Sequence, residues 1–491
     1  MMKNISLNSL LVIIALVVSS FGCKLSAQEP PQFINAGFEQ VASANSTLPA
    51  NWGIMPVAGF TASLSSEEKH SGSYSLKMVA NPTVANTYMN VVRSLAINPT
   101  QLKRIKISVY VKTENLNGSV ALWCQIWDVN KKQIGFENSG MQGVTITGTS
   151  DWQKYSLNLM VNKDAKTLYF GAYTAGTGIA WFDYFTVEEL GSSNEPPTAE
   201  VKKFNKDFIT IVKANSIYAD SIDWKSLDTD LQTLAKGLKT LEDAQVLNKY
   251  VLQALKKAGD NHSFIQNKVA VQNYASNTST QAKPVAKILE NGIGYISVPA
   301  FGSVNKELGE EFASTIQALI KKLDTANKIA GWIVDLRGNG GGNMYPMISG
   351  LGPLLDVGNL GYFVKGKTKH PWKNTKNGMG VSVKAPYTIA NKNNKIAVLI
   401  GRGTGSSGEM TAISFIGQKN TKLFGEPSAG YTSANQSFSL ADGSNLLLAS
   451  SYVADRNLKK YMQRIYPDVE VKTTAGTDAT MKAAEAWLLE K

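Results

Sequence analysis

Cysteine is nearly absent: Cys23 and Cys124 are the only two in 491 residues, which excludes a disulfide scaffold and a multi-cysteine metal site. Histidine is almost as scarce, so any histidine chemistry must use His70, His262 or His370. Charged residues make up only 18% of the chain, and the excess of 50 Lys+Arg over 38 Asp+Glu is scattered. A single modest cluster (Lys365, Lys367, Lys369, Lys373 and Lys376) reads as a solvated basic loop that could steer an acidic group. Such thin charge argues against a nucleic-acid partner. Beyond the N-terminus no apolar run is long enough to span a bilayer.

What is present is ordinary globular material, 43% hydrophobic, enough for two or three domains. Residues 1–27 read as a secretory signal, with Lys3, an apolar run from Leu10 to Val18 and small residues before Gln28. Cys23 offers a rival reading as a lipidated N-terminus, the one route by which the chain would touch a membrane. Both readings place the protein in the periplasm, on the outer membrane or outside the cell.

Residues 28–190 alternate apolar and polar positions, as in Ile105–Val111 and Val120–Ile126, which predicts short strands in a β-sandwich. A Gly/Ser/Pro linker at 191–197 predicts separate folding on its two sides. Residues 198–282 carry helical spacing (Val201, Phe204, Phe208; Leu231, Leu234, Leu238; Leu247, Val251, Leu255) and end in a loop holding His262. Residues 283–491 alternate strands with helices, the signature of an α/β unit with a largely parallel sheet.

Three short stretches carry chemistry. Asp335-Leu336-Arg337-Gly338-Asn339-Gly340-Gly341-Gly342 follows a strand, and its glycines let backbone amides turn outward to an anion. It lacks the Lys-Ser/Thr of a phosphate loop and the spacing of a dinucleotide site. Gly403-Thr404-Gly405-Ser406-Ser407-Gly408-Glu409 also follows a strand and opens a helix, where Ser406 and Glu409 have the spacing of a capping box. Neither serine fits the Gly-x-Ser-x-Gly elbow. The third stretch is Gly259-Asp260-Asn261-His262-Ser263-Phe264, a polar turn after a helix.

Taken together with Gly425-Glu426-Pro427-Ser428-Ala429-Gly430, these stretches resemble the C-terminal processing (tail-specific) peptidase family, in its tricorn-core and retinoid-binding-protein branch. The resemblance implies a crotonase-like α/β core, Ser406 as nucleophile, and an oxyanion hole from the amides of Ser407 and of Gly340 or Gly341. The processing branch uses a lysine base, and no lysine lies between Lys422 and Lys459, so His262 is the expected base. Its neutral form should be available above a pKa near ~6.5. The group that orients His262 is open among Asp260, Asp455 and Glu426, because Asn261 and Tyr461 stand where the tricorn branch has its serine and glutamate.

Residues 28–190 resemble jelly-roll carbohydrate-binding modules through Asn35–Glu39, His70–Leu76 and Trp181–Asp183. Trp123 and Trp127 could stack on a glycan there, or could simply pack. Glu39 and Asp183 are too few to predict the structural calcium of such modules, so no cofactor or metal is expected. The expected activity is a metal-independent serine peptidase acting on a peptide or protein. A non-catalytic binding protein of the same fold and a carbohydrate esterase are the alternatives.

Overall fold

The computed structural model describes residues 33–83, 87–190, 194–276, 281–472 and 476–490. The signal segment, Cys23 and the start of the linker lie outside the described residues.

The N-terminal region is an antiparallel network of eight strands around one apolar interior. Ile105, Ile107, Val109 and Val111 all point inward, as do Leu122, Cys124 and Ile126, so the alternation identifies the buried face correctly. Several strands are as short as expected, but not all of them. Lys103–Trp127 is a single strand that pairs along its length with Thr167–Leu190. Asn115 and Gly118 look like a turn in the sequence and do adopt positive φ, but pairing resumes at Asn117 after a register shift. Trp123 and Trp127 stay partly exposed on the face opposite Leu122 and Cys124, and Trp127 meets Tyr169 edge-on at 5.9 Å. Burial pushes the Cys124 thiol well above its usual range, so it is inert.

Glu39 and Asp183 sit together beside Gly37. The amides of Ser73 and Tyr74 donate to Glu39, and those of His70 and Ser71 to one oxygen of Asp183. Asp183 Oδ1 is buried without a hydrogen-bond partner. No third metal-ligating side chain joins the pair among the described residues.

Three helices follow, Ala199–Asn215, Trp224–Ala235 and Leu241–Lys257, capped by Thr198, Asp223 and Thr240. Their predicted apolar faces are buried, but not only against one another. Leu440, Leu446 and Leu448 of the C-terminal region and Met160 of the β-region complete the same core. Lys249 also pairs with Glu137 at 2.6 Å, and Arg104 donates to the Lys236 carbonyl at 2.9 Å. The regions on either side of the linker therefore share packing. We expect a chain beginning at residue 197 to remain soluble but to melt several degrees below the full chain by calorimetry, since it uncovers the Met160 contact. An equal melting temperature would restore independent folding.

The C-terminal region holds two sheets. In the first, strands 285–288, 293–297, 331–335, 395–400, 421–425 and 469–470 lie in that order, the first pair antiparallel and the rest parallel. Lys306–Ala326 and Met344–Leu351 cover one face, through Trp332, Val334, Val398 and Ile400. Ala479–Leu489 covers the other, through Ile333, Ala397 and Leu399. A parallel sheet needs both faces covered, which is why its strands read as continuous apolar runs. The second sheet is antiparallel and is not evident in the sequence. It is built on Asn445–Asp455, flanked by 433–439, 358–365, 368–374, 460–461 and 264–266. The basic loop expected at 365–376 is largely a hairpin of this sheet, with Trp372 buried and bonded to Ser414 Oγ at 3.0 Å.

Candidate active site

The parallel strands 331–335 and 395–400 lie side by side, with Asp335 opposite Leu399, so the two glycine-rich stretches leave the sheet together. Open α/β sheets bind ligands at such C-terminal strand ends. Leu336 N donates to Leu399 O, Thr404 Oγ1 to Leu336 O at 2.8 Å, and Gly405 N to Asn339 O at 3.0 Å. Asn339, fully buried, donates to the Val298 carbonyl and accepts from the Gly341 amide at 3.1 Å.

Two glycines set the closeness of this contact. A Cβ on Gly341 would stand 2.9 Å from Ser406 Cβ, and one on Gly408 would stand 2.2 Å from the Asn339 carbonyl. Asp335 and Arg337 form an ion pair at 2.7 Å, and Arg337 reaches Asp478 at 2.8 Å, tying the glycine loop to the last helix.

Ser406 immediately precedes the helix Ser407–Ile413 and has φ 49°, ψ −119°, a backbone conformation that side chains rarely adopt. Such strain persists only where the surroundings over-determine it. Here the clamp is Glu409. Its fully buried carboxylate accepts from Ser406 N at 2.8 Å, Ser428 Oγ at 2.5 Å, Gly430 N at 2.9 Å and Tyr431 N at 2.8 Å. Burial raises its pKa, and the four hydrogen bonds work in the other direction. The Ser406 hydroxyl stands 2.9 Å from His262 Nε2.

His262 is delivered by its own loop. Asp260 Oδ1 accepts from the amides of His262 and Ser263, each at 2.9 Å, and Asn435 Nδ2 donates to the His262 carbonyl at 2.9 Å. The Ser263 hydroxyl bonds Asp260 and takes the Ala449 amide, stitching the loop to the second sheet. Tyr431 lies nearly parallel to the imidazole, with ring centroids 5.5 Å apart. Burial lowers the His262 pKa to about 4, against smaller raising effects from the Ser433 backbone and Asp260.

The structure brings the Ser406 hydroxyl to His262 Nε2 and packs Gly341 against Ser406 and the Ser407 amide, and among the described residues neither the Ser407 nor the Gly340 amide has a backbone acceptor. Gly341 differs, because its amide is taken by Asn339. None of the three expected orienting carboxylates faces His262 Nδ1. Asp260 serves the loop backbone, Asp455 accepts from Asn457 N, Lys459 N and Tyr461 OH, and Glu426 lies 3.8 Å from Arg402. The Nδ1 partners are instead the carbonyl and hydroxyl of Ser433, each at 3.0 Å. Sequence reasoning missed Ser433, since a backbone carbonyl leaves no trace in residue identity.

Residues 292–471 match peptidase family S41. The chain is 33% identical over 276 residues to the nisin-resistance protein of Lactococcus lactis subsp. lactis, covering 55% of this chain and 82% of that one. It is 23% identical over 314 residues to the carboxy-terminal processing protease CtpA of Bacillus subtilis (strain 168), covering 61% and 62% respectively. Among solved structures, a lipoprotein from Streptococcus agalactiae superposes with a TM-score of 0.50 at 26% identity, over 59% of this chain and 96% of that one.

Proposed function

We propose that this chain, which belongs to peptidase family S41, the C-terminal processing family of serine peptidases, cleaves peptide bonds through an acyl-enzyme on Ser406 with His262 as general base. The observation that carries this reading is the 2.9 Å contact between Ser406 Oγ and His262 Nε2 at a strained serine. With Nδ1–H held by Ser433, the Nε2 lone pair faces the hydroxyl and can take its proton as the oxygen attacks. The tetrahedral oxyanion then falls to the Ser407 and Gly340 amides, each such donor commonly worth ~2.7–4 kcal/mol. Protonated His262 returns its proton to the leaving amine, and water hydrolyses the ester by the reverse path. Ser433 supplies no negative charge, so the imidazolium is stabilised by neutral oxygens and the base is a weak one.

Labelling by a fluorophosphonate probe, lost in Ser406→Ala, tests the nucleophile. Matched peptide and ester substrates then separate a peptidase from an esterase, and absence of labelling in the folded chain would favour a binding protein. The partly exposed Trp123 and Trp127 support a glycan contact by the β-region. The relatives' character supports an extracytoplasmic site of action. No helix among the described residues is long and apolar enough to cross a membrane.

The acid limb of kcat/KM should fall well below the ~6.5 of a solvated histidine. A base works while neutral, and burial holds His262 neutral down to about 4, so activity should persist at pH 5 and decline toward 4. Over the same window the unfolded chain binds the extra proton more readily than the folded one. Stability contributed by this group is therefore present above the unfolded value and lost as pH falls from there through about 4. A limb at 6.5 or above in the wild type would contradict the buried imidazole.

A further inference from the structure

We propose that a cavity backing the catalytic loop is a regulatory site for a small apolar carboxylate. The proposal rests on the catalytic reading of Ser406 and His262. The cavity is a half-open surface cleft of about 360 Å³, within the ~300–1,000 Å³ typical of small-ligand sites. Its walls combine cations (Lys459, Lys460, Arg464) with apolar side chains (Ile416, Leu423, Met462). Lys459 and Lys460 rest over the rings of Tyr461 and Tyr452, at 5.6 and 5.7 Å, and neither is in an ion pair among the described residues. The one carboxylate in the wall, Asp468, is engaged by the Leu423 amide at 2.8 Å. Three cations against this one carboxylate leave the lining net cationic, and an anion with an apolar body matches both halves of it. A free aliphatic acid and the end of a peptide share that chemistry.

The cavity wall is stitched to the catalytic loop. Ser428 N donates to Ile465 O at 3.0 Å, Ile465 N to Ser428 Oγ at 2.8 Å, and Arg464 Nη1 to Ser428 O at 3.1 Å. Thr432 Oγ1 donates to Gln463 O at 2.5 Å. Ser428 in turn donates to Glu409, which holds Ser406, and Thr432 is followed directly by Ser433, which holds His262. A ligand drawing on Arg464 thus acts on both partners of the catalytic contact without entering the cleft, and its effect belongs in kcat more than in KM.

Calorimetric titration of the full chain with sodium octanoate and with N-acetyl-leucine tests the site, and their relative affinities tell a free acid from a peptide end. Saturable binding of either is expected, at least tenfold weaker in the Lys459→Glu/Lys460→Glu protein and unchanged in Ser406→Ala. Equal binding of the neutral 1-octanol, or no effect of Lys459→Gln/Lys460→Gln and of charge reversal, would overturn the site even if the peptidase reading stands. For the regulatory link, the His262 ring nitrogen resonances, easily assigned among three histidines, should move at saturation and kcat should change at least threefold. Unmoved resonances at saturation would overturn the link.

Discussion

Ser406→Ala and His262→Ala should each lower kcat/KM by about a thousandfold or more, and the double variant should be no worse than either alone. A nucleophile and its base act as one unit, and Ser406 Oγ and His262 Nε2 are already within hydrogen-bond reach at 2.9 Å. Ser407→Ala separates the neighbouring serine's two roles. It keeps the backbone amide proposed for the oxyanion and loses the bond from Ser407 Oγ to the Gly342 carbonyl, so most activity should remain. Ser406→Gly is the structural control. Glycine adopts φ 49° without steric cost, so this protein should be inactive yet melt no lower than the wild type. Full activity in folded Ser406→Ala or His262→Ala would end the mechanism. A sharply lower melting point in Ser406→Gly would mean that the serine backbone is not strained.

The largest loss of stability should come from Glu409→Ala. The substitution removes a buried acceptor serving three amides and a hydroxyl, and leaves those donors without it. A destabilisation of about 3–5 kcal/mol is expected from urea unfolding. Activity should fall further than stability explains, because the carboxylate sets both the Ser406 backbone and the loop that carries Tyr431 onto His262. Glu409→Gln keeps the shape but turns an amide group toward amide donors, so it should recover packing without recovering the site. Unfolding within about 1 kcal/mol of the wild type would show that water or a local shift satisfies the donors instead.

The parts of the site legible in the sequence are those that demand particular residue types. The glycines at 340–342 and 408, the scarce histidine at 262 and the serine before Ser407 each announce a backbone or chemical requirement. The orienting group did not, because Ser433 acts through its carbonyl as well as its hydroxyl. A search for a carboxylate was bound to return Asp260, Asp455 and Glu426, which work elsewhere. In the fold, alternation exposed the inner face of Lys103–Trp127 but not its continuity, since positive φ at Asn115 and Gly118 looks the same in a turn as in a bent strand. The hairpin at 358–374 stayed hidden for a physical reason too. Its outer strand is a sheet edge, and edges carry the lysines and proline that otherwise mark loops.

The serine and its base are 144 positions apart, and the base is 171 positions from the oxygens of Ser433. Distant pairings of this kind form late, after the entropy of closing long loops has been overcome. A chain still being made consequently holds a serine no more reactive than any other. Under the proposed mechanism, reactivity at Ser406 arises only with completion of the fold itself. Turnover is for the same reason a direct assay of how many molecules in a preparation have finished folding.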